Sequence, residues 1–275
     1  MLLLTTWEAA YRIAGWRSFI FPAPSHVVDS MLGMLGIETG FGEKLHKGWP
    51  APLESAAHQP PLASRMVHSP LVTANIVSAW RLIVGFSLSI ILGTVLGVLM
   101  WRWTPFDEFL RPVCLGLQTL PSVCWVPLAV LVFGLNEIGI LFVLVMGSAF
   151  GMAVSMRDGL LAVPPLYRRA GLMMGARGWR LYRYVLFPAG LPALASSLRQ
   201  GFSFAWRSLM GAELILVADH QGLGFLLKTG QDNSAISQVV AVMIVMVIIG
   251  MLADRLAFAP LERRVHIRFG LGAAG

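Results

Sequence analysis

Long apolar runs, broken by short polar connections, occupy most of the chain from residue 76 onward. The first run extends from Ile76 to Trp101 and carries Gly85, Gly93 and Gly97 at spacings that let a neighbouring helix approach closely. The second runs from Pro112 to Leu135 and contains Pro121 and Pro127. The third covers Ile138 to Met156, the fourth Leu191 to Val217 and the fifth Ala235 to Ala253. Each is long enough to cross a hydrocarbon core of ~30 Å at ~1.5 Å per residue. Met1 to Gly15 is a weaker apolar stretch, interrupted by Glu8 and Arg12. It lacks a basic leader and a small-residue cleavage site, so it reads as a short or truncated first span and not as a signal peptide. The expected fold class is an all-α membrane protein, a polytopic bundle of about six transmembrane helices, or about five if the first stretch does not cross.

The polar segments divide the chain. Residues 1–70 hold the weak first span and an external loop, 71–260 the transmembrane core, and 261–275 a basic tail. Phe21-Pro22-Ala23-Pro24-Ser25-His26 is a turn-rich entry, after which Ser25 is placed to cap a short helix over Val27–Leu35. Gly40 to His68, rich in Gly, Pro and His, predicts an irregular loop. The segment between the third and fourth runs differs from the other connections. It carries Arg157, Arg168, Arg169, Arg177, Arg180 and Arg183, with Asp158 as its one acid up to that last arginine. The connections 134–139 and 218–234 have Lys228 as their one base. The excess of arginine places 157–188 and the C-terminus on the cytosolic side. Pro164-Pro165 suits a helix start. Leu166, Ala170, Met173 and Met174 recur near helical period, and Gly175 and Gly178 offer stops. A short helix across the membrane face is therefore expected at about 164–175, followed by the interfacial Trp179–Tyr184 and re-entry at Val185-Leu186-Phe187-Pro188.

Composition narrows the class. Hydrophobic residues make up 56% and charged residues 13% of the 275, against roughly 25% charged in a soluble domain. The net charge of +7 does not imply nucleic acid, because the arginines border apolar runs, where positive charge marks the cytosolic side of a membrane. Cys114 and Cys124 read as two small buried hydrophobes, and the scattered His46, His58 and His68 fit no compact metal site. Phosphate-loop, zinc-protease and nucleophile-elbow motifs are missing. The nearest approach is Gly222 to Lys228-Thr229, where Leu227 stands in the place of the required Gly. No catalytic residue, metal or cofactor is expected in this chain.

The fourth run has one polar face. Ser196, Gln200, Ser203 and Arg207 fall at i, i+4, i+7 and i+11, with Arg199 near its edge. A mid-membrane arginine costs roughly 2.5–3.5 kcal/mol on insertion scales, so such a group faces a bundle interior or a water-filled path. Two readings stay open for Arg207: an attractor in an anion pathway, or a structural cation paired with Glu213 or Glu137 from another helix. Trp125 and Trp206 are further candidates for the path lining, with core packing as the alternative.

The sequence resembles the permeases of binding-protein-dependent ABC importers. Ala170, Gly175 and Val185-Leu186-Phe187-Pro188 are similar to their Glu-Ala-Ala signature, with Arg169 standing for the Glu and Gly171 for the second Ala. Pro121-Ser122-Val123-Cys124-Trp125-Val126-Pro127-Leu128, Phe133-Gly134-Leu135-Asn136-Glu137, Ala212-Glu213-Leu214-Ile215 and Gly222-Leu223-Gly224 resemble blocks of the nitrate, sulfonate, taurine and bicarbonate branch. Phe21-Pro22-Ala23-Pro24-Ser25 is similar to that branch's Leu-Pro-Ser-Pro entry, so the likeness covers nearly the whole chain. The resemblance implies a type I importer permease in a bacterial inner membrane, pairing with a second copy, with a cytosolic ABC ATPase and with a periplasmic or extracellular solute-binding protein. It implies a cytosolic coupling helix with Arg168, Arg169, Ala170, Gly171, Met174 and Gly175 facing the ATPase. It implies a translocation path that draws on Trp125, Gln200, Ser203, Trp206 and Arg207. ATP and Mg would be bound by the partner. The solute expected is a small anion such as a sulfonate, nitrate or bicarbonate. The competing readings are a secondary transporter or channel working without an ATPase, and an intramembrane enzyme. The first needs an internal repeat with broken helices and the second a catalytic pair at membrane depth, and neither feature is visible in the sequence.

Overall fold

The computed structural model describes residues 6–8, 11, 22–37, 69–216 and 221–268, and these are helical, with no strand among them. Most of Met1–Gly15, the loop 40–68 and the histidines at 46, 58 and 68 lie outside the described residues. The chain divides into two compact units, Met1–Trp80 with Glu213–Ile249, and Arg81–Ala212 with Gly250–Gly275.

The elements follow the apolar runs with shifted ends. α1 is Pro24–Met34, and it begins at Pro24 with Ala23 as its cap, not at Ser25 as expected, because proline fills the first helical position without losing a hydrogen bond. α2 is Pro70–Arg102. The second run is broken in two. α3, Thr104–Thr119, starts eight residues before Pro112, since Asp107, Glu108 and Arg111 interrupt the apolar pattern but not the helix. The chain then bends by 101° through Pro121 and the 3-10 turn Ser122–Trp125 into α4, Val126–Phe133. α5 is Glu137–Leu161, and α6 is Pro165–Met173. A π-helical turn at Tyr182–Leu186 leads into α7, Phe187–Ile215. α8 is Leu223–Asp232. α9, Ile236–Ala253, continues through a second π turn, Asp254–Phe258, into α10, Ala259–Arg268.

Three described helices are long and apolar enough to cross a membrane: α2, α5 and the continuous 236–265 rod; the bent α3–α4 pair makes four. The expected six is not reached by these. α7 has 29 residues, enough length to cross, but its polar set, from Ser196 to Glu213, lowers its hydropathy.

In the unit built on Arg81–Ala212, small residues draw helices together. An added Cβ at Gly85 would lie 2.8 Å from Leu144 Cδ1, at Gly93 2.9 Å from Met152 Cβ, and at Gly97 2.7 Å from the carbonyl oxygen of Ala153. The predicted glycine face of α2 thus packs on α5. Ser89 and Ser148 share a 2.7 Å hydrogen bond in the same seam. On another side, α5 meets α7, where Ser208 donates to the Val143 carbonyl at 2.9 Å. Ile140, Val143, Leu144, Ala149 and Ala153 are fully buried as a result. Outward side chains of α2, including Ile83, Ile91 and Val95, are exposed and apolar, as a lipid-facing surface requires.

In the other unit, α8 is held to α9 by Gln238, whose Nε2 donates to the Leu226 carbonyl at 3.1 Å. The same unit contains the buried carboxylate of Glu213.

Candidate functional site

The short helix α6 forms where the sequence places it. Pro164 precedes it and Pro165 opens it. It ends in a reciprocal pair of turn bonds, Ala176 N–H to Gly171 O and Gly175 N–H to Leu172 O, both 3.0 Å. That closure requires the left-handed backbone of Gly175, φ 79°. Gly171 faces inward: its Cβ position lies 2.7 Å from Leu181 and 3.0 Å from Val185. Arg168, Arg169, Ala170, Met174 and Gly175 are exposed. Met173 and Met174 are 89% and 87% exposed, and Leu166 and Tyr167 are open too. Flexible methionines beside two adjacent arginines give this exposed side of α6 an adaptable apolar and basic character. Of the six residues expected to face a partner, Gly171 instead seats α6 on the segment that follows it.

The second set lies in α7. Gln200, Ser203 and Arg207 are exposed along one side of the helix. Gln200 accepts a 2.8 Å bond from Ser155 of α5. Gln118 and Thr119 at the end of α3 are exposed as well, and Gln118 and Phe204 both approach Gly151. Arg207 donates from Nε to the Ser203 carbonyl at 3.1 Å, and its guanidinium carbon stands 5.0 Å from the Phe204 ring centroid. Among the described residues it has no acidic partner.

Three other arginines in this unit, Arg81, Arg157 and Arg199, are paired, and the sequence did not reveal their partners. Arg81 grips Glu137 through Nε at 2.7 Å and Nη2 at 2.6 Å. Arg157 holds Asp107 through Nε at 2.7 Å and through Nη2, and Asp158 through Nη1 at 2.7 Å. Arg199 forks onto Asp254 with two 2.7 Å bonds and reaches Glu262 at 2.9 Å. Ser196 donates to the other oxygen of Glu262 at 2.8 Å, which removes it from the exposed polar face. Glu137 is therefore committed to Arg81, and the structural pairing considered for Arg207 is not found among the described residues.

The two tryptophans are packed. Trp125 lies 6.3 Å from Phe142 and 6.5 Å from Phe150, centroid to centroid, with its indole N–H buried and without a hydrogen-bond partner among the described residues. Trp206 stacks on Phe202 at 6.4 Å and covers Gly250. Cys114 is buried as expected, but Cys124 is exposed, because the 3-10 turn at the α3–α4 break turns it outward. No group of three or more metal-ligating side chains occurs among the described residues.

Two motif blocks that the sequence left separate are joined in the first unit. The Glu213 carboxylate accepts the Ser78 hydroxyl at 2.9 and 2.8 Å and the Gly224 N–H at 3.0 Å, while the Leu223 N–H bonds to Ser78 Oγ at 2.9 Å. The first two N–H groups of α8 are thereby satisfied.

Comparison with known proteins agrees with this architecture. Residues 89–266 match the family described as the binding-protein-dependent transport system inner membrane component. The chain is 31% identical over 185 residues to a putative ABC transporter permease of Methanocaldococcus jannaschii, covering 67% of this chain and 69% of that one. It is 28% identical to a nitrate import permease of a Synechocystis strain, over 65% of this chain and 64% of that one. It is 24% identical to a bicarbonate transport system permease of Synechococcus elongatus, over 66% and 65%. The matches thus span about two thirds of these relatives' lengths. Among solved structures, an inward-facing form of the MetNI methionine ABC transporter superposes with a TM-score of 0.57 at 20% identity, covering 71% of this chain and 98% of that one.

Proposed function

The chain belongs to the family of binding-protein-dependent transport system inner membrane components, and from that membership we propose that it is the permease subunit of an ATP-driven importer for a small oxyanion. An external binding protein delivers the solute, a separate cytosolic ATPase binds ATP and Mg, and a second copy of the permease completes the path.

The observation that carries the anion reading is Arg207. It is exposed on a helix of membrane-crossing length, eight residues from the Ile215 end, or about 12 Å at ~1.5 Å per residue. Lipid contact at depth is costly for a guanidinium, so the face that bears it meets water or protein. Gln200 and Ser203 continue that face, with Ser155 and Gln118 beside it. A guanidinium presents a planar fork to a planar trigonal anion, which nitrate and bicarbonate both are. The nitrate and bicarbonate permeases among the relatives support this solute class. Trp125 and Trp206 enter the path, in this reading, as packed walls behind the polar groups.

The second copy covers the exposed side of α3 and α4, where Gln118 and Thr119 adjoin Leu120, Val123, Leu128 and Leu131. Polar and apolar groups mixed at one face suit protein better than lipid. α6 acts as the coupling helix: Arg168 and Arg169 pair with acids on the ATPase, while Met173 and Met174 fill an apolar groove there. A secondary transporter or channel would leave the exposed α6 surface without a task.

The test is reconstitution of the permease with its ATPase and receptor in vesicles. The proposal expects the ATPase to co-purify with the permease and labelled nitrate or bicarbonate to enter only with ATP and receptor present. Uptake that needs neither would replace it with the secondary transporter.

A further inference from the structure

We propose that the Asp107–Arg157 pair is a positioning strut that carries movement of α6 to α3, one wall of the path; this rests on the coupling role proposed for α6. Arg157 lies in the last turns of α5, four residues before its end at Leu161. Only Ala162, Val163 and Pro164 separate α5 from α6. Two consecutive prolines fix the backbone at that junction, so the link is short and stiff. A shift of α6 therefore reaches the end of α5 with little loss.

At that end the guanidinium of Arg157 grips Asp107 in the first turn of α3, through Nε at 2.7 Å and through Nη2. Two parallel bonds fix orientation as well as distance. The side chains are 13% and 15% exposed, so water and salt loosen the contact little. Asp158 holds a third guanidinium nitrogen. α3 then continues as one helix, with Pro112 inside it, to Gln118 and Thr119, and the 101° bend follows immediately. The start of α3 thus moves with the end of α5, and the bend converts that displacement into a change at the polar face.

The other ion pairs in this unit are placed differently. Arg81 meets Glu137 at the opposite end of α5. Arg199 ties α7 to the Asp254 turn and to α10; α7 follows the segment on which α6 sits, but the bonds of Arg199 reach neither α5 nor α3. Among the described residues, Asp107–Arg157 is the ion pair that joins the α6 end of α5 to a path-lining helix.

The experiment measures solute imported per ATP hydrolysed in vesicles holding permease, ATPase and receptor. Variants are Asp107→Asn, Arg157→Gln and the double change Asp107→Leu/Arg157→Met, which removes both charges together and spares the fold if a single variant fails to assemble. Each assembled variant is expected to hydrolyse ATP at the wild-type rate while the transport ratio falls about five-fold or more, the lower end of typical coupling between sites. Arg199→Gln, which breaks a pair outside this route, is expected to keep the ratio. An unchanged ratio in the double variant, or an equal fall in Arg199→Gln, overturns the strut. If wild-type permease itself imports without ATP, the reading of α6 fails first and the strut with it.

Discussion

Glu213 caps α8 from a distance of eleven residues, accepting the Gly224 N–H at 3.0 Å while 1% exposed. A carboxylate in that position matches the positive end of a helix, and it explains the two glycines beside it. A Cβ at Gly222 would sit 2.4 Å from Glu213 Oε1, and one at Gly224 would sit 2.5 Å from Glu213 Cβ. Neither glycine is there for flexibility. Gly224→Ala is expected to destabilise the protein by about 1–3 kcal/mol through overpacking. Glu213→Ala, which orphans the Ser78 hydroxyl and the Gly224 N–H, should cost about 1–3 kcal/mol for each group left without a partner. Thermal unfolding of the purified protein in detergent measures both, and a wild-type midpoint for either variant would contradict the cap.

Gly97 makes the tightest of the α2–α5 contacts. Its Cβ position is 2.7 Å from both the Ala153 carbonyl oxygen and Met156 Cβ. A backbone oxygen in a buried helix cannot rotate aside as a side chain does. Gly97→Ala therefore separates the two helices, despite the better helix propensity of alanine, at a cost of about 1–3 kcal/mol. The check is the loss in unfolding midpoint, compared with Gly116→Ala, which meets nothing within 4 Å among the described residues.

Gly116 itself tests the second copy. It lies on the exposed side of α3 with open space beyond it. In an isolated protomer even a tryptophan there is accommodated. In a pair that closes over this face it is not. Gly116→Trp is expected to retain the unfolding midpoint of the monomer while shifting the purified permease from dimer to monomer in native mass spectra or size-exclusion light scattering. A dimer of unchanged stability would move the interface elsewhere.

The limits of the sequence follow from what each residue does. Gly85, Gly93 and Gly97 were legible as a packing face because helix contact repeats at a short period, and α6 was legible because prolines open it and glycine closes it. Ser25 misled, since Pro24 starts α1 first. The break in the second run was visible only as Pro121, while its 101° angle depends on the 3-10 turn that follows. The exposed residues Gln200, Ser203 and Arg207 were found from periodicity, but Ser196 belonged to the same period and turns instead to Glu262. What periodicity does not give is the partner. Asp107 and Arg157 are fifty positions apart, and Ser78 and Glu213 are 135 apart. Two signals pointed to such pairs without naming them: an arginine within an apolar helix, and a carboxylate in another.

Gly175 has φ 79° and, among the described residues, nothing within 4 Å of its Cβ position. Space is no obstacle to a side chain there, but the left-handed backbone is, at roughly 1–2 kcal/mol. A tryptophan also projects from the end of α6, beside the exposed Met173 and Met174. Gly175→Trp should therefore leave membrane insertion intact and separate ATP hydrolysis from uptake, whereas Gly175→Asn, which tolerates the left-handed region better, should keep most of the coupling. Equal coupling in wild type and the tryptophan variant would remove this helix end from the ATPase contact.

Arg207 is the sharpest test of the solute class, because a structural cation and an anion attractor predict opposite results for the same change. The residue has no acid beside it among the described residues, so replacing it strands no buried carboxylate and should barely move the unfolding midpoint. If the guanidinium binds the passing anion, Arg207→Gln removes a charge-assisted hydrogen bond of about 1.5–3 kcal/mol, and uptake efficiency falls about ten- to a hundred-fold. Arg207→Lys keeps the charge but loses the planar fork, so nitrate uptake is expected to recover only in part. Measured together, stability and uptake separate the two roles: a lower midpoint with uptake per folded molecule unchanged would make Arg207 a structural residue and leave the solute class to be argued from other groups on the path.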